Sequence, residues 1–189
     1  MLNAALETTP VIALAGNPNS GKTALFNAIT GSKQHIGNWP GVTVEKKEGI
    51  ASINGDSAIV IDLPGTYAFS SRALDESIAR DFIIDQQPDL VINVVDSTQL
   101  ERNLYLTLQM LEMGVPVIMA LNMFDEAKSL NLQIDVEELS RILGVEVIPT
   151  VAVQKPVLVN YFARHYPNQL IATSSKGKTL PVAKSRSIQ

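Results

Sequence analysis

The sequence of 189 residues contains no cysteine and two histidines, His35 and His165. Without cysteine, the chain cannot form disulfides, thiolate nucleophiles, iron–sulfur clusters or cysteine-based zinc sites. Two histidines also argue against a histidine-rich metal site. The composition fits a reducing compartment, and any chemistry must depend on other side chains.

The sequence also lacks a basic excess and a long apolar segment. Its 15 Lys and Arg against 19 Asp and Glu give a formal net charge of −4, so no overall positive field favours nucleic acid. Apolar runs such as residues 115–121 are far shorter than the ~20 residues of a membrane-spanning helix. The N-terminus has no secretory signal pattern. We therefore expect a cytoplasmic chain that neither spans a membrane nor binds nucleic acid.

The charge distribution divides the chain near residue 155. Residues 1–154 have a net charge of −10, whereas residues 155–189 carry six basic residues and no acidic one. A content of 46% hydrophobic and 18% charged residues is typical of a folded domain. We expect a single domain over residues 1–154, followed by an atypical basic segment with a short helix and then disorder.

Four short apolar runs, rich in Val and Ile, predict strands at residues 11–15, 58–61, 90–95 and 117–121, and a shorter one is expected at 146–149. The four runs are continuous rather than alternating, which is typical of parallel strands buried on both faces. Helical patterns separate them. This alternation predicts an α/β fold with a doubly wound, mostly parallel sheet, whose ligand site lies at the carboxyl ends of the strands.

Two of the helical patterns are specific enough to predict which residues they bury. A capping box at residues 98–101 predicts a helix start, and Gly114 with Pro116 predicts its end. Another helix is expected to open at residues 135–138 and to stop at Gly144. The residues predicted to face inward are Leu100, Leu104, Leu108 and Leu111 in the first helix and Leu139, Ile142 and Leu143 in the second.

A full GxxxxGK[ST] motif follows the first strand and opens a helix, which is the context of a phosphate-binding loop. Its backbone amides and helix N-terminus face the phosphates. Lys22 is predicted to reach the β- and γ-phosphates, and the Thr23 hydroxyl to coordinate Mg²⁺. The nucleotide-binding residues predicted here are Gly16, Asn17, Asn19, Ser20, Gly21, Lys22, Thr23 and Ala24.

Three further motifs lie at or just after predicted strand ends. Asp62 and Gly65, in a DxxG sequence, are predicted to hold Mg²⁺ through water and to sense a γ-phosphate. Asn122, Met123 and Asp125 match the NxxD pattern that reads guanine, whose N1–H and 2-amino donors adenine lacks. The alternative is that Asn and Asp cap the next helix. Val151 and Ala152 are similar to the small-residue loop that contacts guanine O6.

A loop at residues 37–45, rich in Gly and Pro, carries Thr43, which can bind Mg²⁺ and the γ-phosphate when that phosphate is present. We predict Thr43 as a switch residue, with Gly41 beside it; Thr30 and Thr66 are the alternatives. Trp39 is interpreted as a surface anchor and His35 as a solvated loop residue. Many GTPases carry a Gln directly after the DxxG motif. Here that position is Thr66, and no arginine finger is evident.

Together, the segments GNPNSGKTALFNAITG, NWPGVTVE, DLPGTYAFS, NVVDSTQLERNLYLTLQ and the Met-bearing NMFD resemble the FeoB family of bacterial ferrous-iron transporters. The resemblance covers about residues 10–154. It implies a P-loop NTPase fold of the Ras-like G-domain type, with GTP or GDP and Mg²⁺ as ligands and GTPase activity. In that family the G domain lies on the cytoplasmic face of the inner membrane, and it is followed by a helical domain and then by a membrane pore.

The resemblance also implies residue roles. Asn19 matches the residue that coordinates an activating K⁺; the alternative is a turn residue that bonds its own backbone. The predicted catalytic residues are Asn19, Lys22, Thr43 and Gly65, and the predicted metal ligands are Thr23, Thr43 and Asp62 for Mg²⁺ and Asn19 for K⁺.

Two other functions remain open. One is an RNA-binding, ribosome-assembly GTPase of the Era-like kind, which would need an RNA-binding module and a basic face. The other is a nucleotide-binding module without useful turnover, because the catalytic Gln is missing.

Overall fold

The computed structural model describes residues 9–31, 34–53, 56–70 and 73–151. Within these ranges, strands and helices alternate along the chain. The strands are β1 Val11–Gly16, β2 Gln34–Asn38, β3 Glu45–Ile53, β4 Asp56–Asp62, β5 Leu90–Asp96, β6 Val117–Asn122 and β7 Glu146–Pro149. The helices are α1 Lys22–Thr30, α2 Leu74–Gln86, α3 Leu100–Glu112, α4 Phe124–Ser129 and α5 Val136–Leu143, with a 3₁₀ turn at Ser97–Gln99 before α3.

The described strands form one sheet in the order β2-β3-β4-β1-β5-β6-β7. The strands β4, β1, β5, β6 and β7 run parallel, whereas β2 and β3 pair antiparallel at one edge. The predicted doubly wound, mostly parallel sheet is therefore confirmed. The register pairs Leu14 with Asp62 and Asp96 with Asn122, so the strand ends that carry the motifs meet at one edge of the sheet.

The strands β2 and β3 were not predicted. The loop predicted at residues 37–45 is shorter in the structure, because its two ends belong to these strands. Gly37 and Asn38 belong to β2, and Glu45 begins β3. His35 is exposed, but it lies in β2 rather than in a loop. An antiparallel edge hairpin leaves many side chains in solvent, so its polar sequence shows no apolar run.

Helices cover both faces of the sheet. On one face, α1 contributes Leu25 and Phe26 to a core with β1, β3, β4 and β5. On the other face, α2 and α3 pack on the central strands, and α4 and α5 pack beside them. Trp39 also belongs to this second core. Its ring meets Phe82 of α2 edge-on at 5.5 Å, and the residue is 7% exposed, so Trp39 anchors its loop in the core rather than at the surface, as had been expected.

The predicted capping box at the start of α3 is not formed. Asp96, at the end of β5, accepts bonds from the amide nitrogen of Thr98 at 2.8 Å and from its hydroxyl at 2.7 Å. The 3₁₀ turn is thus capped by Asp96, while Gln99 precedes α3 without a side-chain cap. Because the Thr98 hydroxyl and amide both donate to the Asp96 carboxylate at the end of the strand, Thr98 does not act as the cap of α3.

The buried face of α3 also differs from the prediction. Asn103, Leu106, Thr107 and Met110 are buried, whereas Leu108 is 48% exposed. Thr107 is tolerated inside because its hydroxyl accepts a bond from Asn93 Nδ2 of β5 at 2.7 Å. A pattern of leucines cannot predict a helix face that buries polar residues.

Most of the other residues that were predicted to face inward pack against the core. Leu100, Leu104 and Leu111 are half-buried against the core. In α5, Leu139 and Leu143 pack as predicted. Ile142 does not, since it is 66% exposed. Among the residues that the structure describes, no helix is both long and apolar enough to cross a bilayer.

Two neighbouring leucines of α3 test this assignment of its faces. Leu106→Ala removes a side chain with no exposed surface, and we expect a loss of about 2–5 kcal/mol in the free energy of unfolding. Leu108→Ala should change it by less than about 0.5 kcal/mol. Urea unfolding of both variants measures the difference. Equal losses would contradict the observed helix orientation.

Candidate functional site

The loop between β1 and α1 makes a tight turn at the carboxyl end of the sheet. Asn19 and Gly21 have positive φ angles of 66° and 87°. A Cβ at Gly16 would lie 2.4 Å from the carbonyl oxygen of Val94, and a Cβ at Gly21 would lie 2.1 Å from Asn122 Nδ2. These positions therefore accept only glycine, which brings the backbone of the predicted phosphate loop close to β5 and to the residue that ends β6.

Lys22, the first residue of α1, forms an ion pair with Asp62. Both side chains are buried, and Asp62 lies in the last position of β4, beside Leu14. Buried charges are costly unless they are paired. The two motif residues predicted for phosphate and Mg²⁺ are thus brought together, and each serves as the counter-charge of the other.

The DxxG segment packs directly on the phosphate loop. The amide of Thr66 donates to the Gly16 carbonyl oxygen at 3.1 Å. A Cβ at Gly65 would lie 3.3 Å from Pro18 Cα. Gly65 is therefore next to the loop, as its predicted role as a phosphate sensor requires.

The hydroxyl groups of the two alternatives to Thr43 are engaged elsewhere. Thr66 is buried and donates to the Ala68 carbonyl oxygen at 2.6 Å. Thr30 is buried and donates to the Phe26 carbonyl oxygen at 2.8 Å. Neither hydroxyl group is therefore available to a ligand in this arrangement.

Thr43 itself is exposed, as are its neighbour Gly41 and the loop residues Thr23 and Ala24. The backbone of Trp39 closes the turn that contains Thr43. Its carbonyl oxygen accepts from the Val42 amide at 3.2 Å, and its amide donates to the Val44 carbonyl oxygen at 2.9 Å. Across the described ranges, no hydrogen bond joins Thr43 to the phosphate loop. Unlike Lys22 and Asp62, Thr43 is thus not joined to another predicted phosphate residue by a side-chain bond in this structure.

Two polar side chains of the phosphate loop are buried without a hydrogen-bond partner among the described residues. Both polar atoms of Asn17 and the hydroxyl of Ser20 are in this state, with exposures of 3% and 1%. An unpaired buried polar group costs about 1–3 kcal/mol. A polar ligand with hydrogen-bonding oxygens would offset this cost, so the donor set of the loop fits a phosphate.

Asn122 joins the predicted base-reading motif to the phosphate loop. Its side-chain nitrogen donates to the Ser20 carbonyl oxygen at 2.8 Å, and its side-chain oxygen accepts from the Thr150 hydroxyl at 3.4 Å. Its backbone carbonyl accepts a bond from the hydroxyl of Ser97. Asn122 is thus a buried bridge, and its predicted contact with a base stays a prediction.

The neighbours of Asn122 complete the predicted base site. Met123 adopts a left-handed conformation with φ 56°, and its Cε lies 3.7 Å from the position of a Cβ on Gly21. Asp125 is exposed, and its carboxylate makes no hydrogen bond with the described residues. No side chain caps α4, so the alternative capping role of Asn and Asp is not observed.

The chain leaving β7 lies beside this motif. The Thr150 amide donates to the Leu121 carbonyl oxygen at 2.8 Å, and the Phe124 amide donates to the Thr150 carbonyl oxygen at 3.3 Å. Val151 therefore directly follows Thr150, which is bonded to β6 and to the first residue of α4. Ala152 and the predicted basic segment 155–189 lie outside the described residues.

Two residues of the site were missed by the sequence analysis, namely Ser97 and Thr150, which both bond Asn122. Thr150 has a weak signal, because it immediately precedes the predicted small-residue loop. Ser97 has none, because its contact depends on how β5 ends beside β6.

Comparison with known proteins gives one consistent result. The family model of ferrous iron transport protein B matches residues 10–161. The Fe(2+) transporter FeoB of Escherichia coli K12 is 55% identical over 145 residues, which cover 75% of this chain and 19% of that relative. The chain therefore spans about a fifth of the length of this curated relative.

Comparison with solved structures indicates the same family. The FeoB G-domain from Methanococcus jannaschii has a TM-score of 0.74 and 47% identity, covering 86% of this chain and 98% of that one. A mutant of S. thermophilus NFeoB bound to GDP has a TM-score of 0.78 and 46% identity, covering 88% and 65%. The predicted P-loop NTPase fold of the Ras-like G-domain type is confirmed.

The bridging geometry of Asn122 predicts a stability effect without any ligand. Asn122→Ala leaves the Ser20 carbonyl oxygen unpaired, and we expect a loss of about 1–3 kcal/mol in the free energy of unfolding. Asn27→Ala, which removes an exposed bond to Gln34, serves as a control with little effect. Urea unfolding without nucleotide measures both. An unchanged stability of Asn122→Ala would show that its main role is elsewhere.

Proposed function

The chain belongs to the ferrous iron transport protein B family, and we therefore propose that it is the GTP-binding and GTP-hydrolysing switch domain of a ferrous iron transporter. The observation that carries this proposal is the convergence of the phosphate loop, Asp62, Gly65 and the NxxD motif at one edge of the sheet. In the proposal, the nucleotide state controls Fe²⁺ uptake through parts of the transporter outside this chain.

A nucleotide phosphate would replace the partners of the buried ion pair. Lys22 would turn from Asp62 to the β- and γ-phosphates, and Asp62 would then face a cation. Mg²⁺ prefers oxygen ligands, and Thr23, Thr43 and Asp62 supply hydroxyl and carboxylate oxygens. When bound, Mg²⁺ neutralises charge that develops on the phosphates. Thr43 would have to move toward the loop, which suits a residue that responds to the γ-phosphate.

Guanine would be read by Asp125, with Met123 and Val151 beside it. The exposed carboxylate has no partner in the described part of the chain, which supports a ligand role. It can accept from N1–H and the 2-amino group of guanine, whereas adenine lacks this donor pair.

The remaining four-fifths of a full-length relative would carry the helical domain and membrane pore expected for the family. This chain would then work on the cytoplasmic face of the inner membrane. Its negative net charge of −4 argues against RNA as a partner.

Turnover requires a catalytic group other than the missing Gln. Thr66 occupies that position with its hydroxyl bonded to Ala68, so it does not replace Gln. We propose that K⁺, held by the side-chain oxygen of Asn19, supplies positive charge near the phosphates. The side chain of Asn19 is exposed and makes no hydrogen bond within the described ranges. That arrangement supports a ligand role over a turn residue that bonds its own backbone.

The first test concerns the base. Asp125→Ala should weaken GDP binding by about 10- to 150-fold, because hydrogen bonds to a charged group contribute about 1.5–3 kcal/mol. Glu126→Ala, an exposed neighbour in the same helical turn, should bind GDP normally. Titration with fluorescent GDP, in competition with ADP, measures both affinities. If the unsubstituted chain bound GDP and ADP equally, the guanine assignment would be wrong.

The second test concerns hydrolysis. Phosphate release from GTP should be faster in KCl than in NaCl, and Asn19→Ala should abolish this difference while GDP binding is retained. Asn131→Ala is a matched control, because Asn131 is also exposed and left-handed, with φ 56°. Equal turnover in both salts would contradict the K⁺ proposal. The absence of any turnover would favour a nucleotide-binding module without hydrolysis.

A further inference from the structure

The chain that follows Gly65 is attached to α3 at two points. The Phe69 amide donates to Gln109 Oε1 at 2.8 Å. The guanidinium carbon of Arg102 lies 4.2 Å from the centroid of the Tyr67 ring. Residues 65–70, called here the DxxG exit, therefore run along this helix.

The spacing of these contacts follows from helix and strand geometry. Arg102 and Gln109 are seven residues apart, which is about two helical turns, so both lie on one face of α3. Tyr67 and Phe69 are two residues apart, so they can meet the same surface if the chain is extended. One helix face thus binds alternate residues of the exit.

The helix itself is fixed to the sheet. Asn103 accepts from the Asp96 amide at 3.3 Å, and Thr107 accepts from Asn93 Nδ2 at 2.7 Å. Both partners lie in β5, next to β1 and the phosphate loop. The oxygen of Gln109 therefore has a defined position relative to the loop.

The other end of the exit is held by the loop itself. Thr66 bonds Gly16, and Gly65 packs on Pro18. Only Tyr67 and Ala68 separate Thr66 from Phe69. The Phe69 amide is therefore only a few residues along the chain from the main chain of Gly65.

We propose that Gln109 is a positioning residue for GTP hydrolysis, whose side-chain oxygen holds the Phe69 amide and thereby sets Gly65 against the phosphate loop. This inference rests on the proposed function. It concerns the acceptor atom alone, since the backbone carbonyl of Gln109 serves the end of α3 by accepting from Met113.

Two substitutions separate the acceptor atom from the shape of the side chain. Gln109→Met keeps the length and flexibility but removes the oxygen. Gln109→Glu keeps an oxygen that can accept from the Phe69 amide. Leu108→Ala, at the exposed neighbouring position of α3, is the control for effects on the helix.

Three readouts are needed: hydrogen exchange of the Phe69 amide, GDP affinity, and kcat and KM for GTP in KCl. For Gln109→Met we expect hydrogen exchange of the Phe69 amide to become about fivefold faster. We expect kcat to fall by about fivefold, because the substitution removes one hydrogen bond. GDP affinity and KM should change less than about twofold, as expected for an interaction that acts mainly in the transition state. Gln109→Glu should restore both exchange and kcat, and Leu108→Ala should resemble the unsubstituted chain.

The outcomes are distinguishable. If Gln109→Met hydrolyses GTP normally, or if Gln109→Glu is as impaired as Gln109→Met, the positioning role is overturned. A parallel loss of kcat, GDP affinity and thermal stability in Gln109→Met would instead indicate a purely structural role and would also overturn it. If the unsubstituted chain hydrolyses no GTP, the proposed function fails, and the kinetic role of Gln109 fails with it.

Discussion

The burial of Lys22 is the constraint on which the site depends. An ammonium group with 10% side-chain exposure must have a negative partner within reach, because an unpaired buried charge costs several kcal/mol. Asp62 supplies it from the end of β4, which lies beside β1 in the parallel register. The turn of the phosphate loop, the pairing of β1 with β4 and the start of the DxxG segment are therefore one interdependent arrangement.

Close backbone approaches extend this arrangement across the sheet. Gly16 has no room for a Cβ beside β5, and Gly21 has none beside Asn122. Asn122 bonds the loop on one side and Thr150 on the other. Asn122 thus joins the phosphate loop to the strand that carries the predicted base-reading motif. Thr43 differs, since its loop is anchored by Trp39 in the second core and not by the phosphate loop.

Several elements could be read from sequence because their physical causes are local. Central parallel strands are buried on both faces, so they appear as continuous apolar runs such as residues 90–95. The phosphate loop needs glycines and Lys22 at set spacing, which a motif captures. The edge strand β2 and its antiparallel neighbour β3 are half-solvated and carry no such run. The leucine pattern of α3 was wrong for Leu108, and it could not indicate that Asn103 and Thr107 are buried through bonds to β5.

The sequence by itself determined the order of strands and helices around the site, the loop that turns between β1 and α1, and which residues end the parallel strands. These features are determined locally, because backbone preferences and apolar runs depend on only a few consecutive residues. Only the tertiary structure decided what those residues contact: Asp62 on Lys22, Asn122 on Ser20, and Gln109 on Phe69. These pairs are 40, 102 and 40 residues apart, and no local preference can determine a hydrogen bond across such separations. Their geometry follows instead from the strand register and the packing of α3 on the sheet.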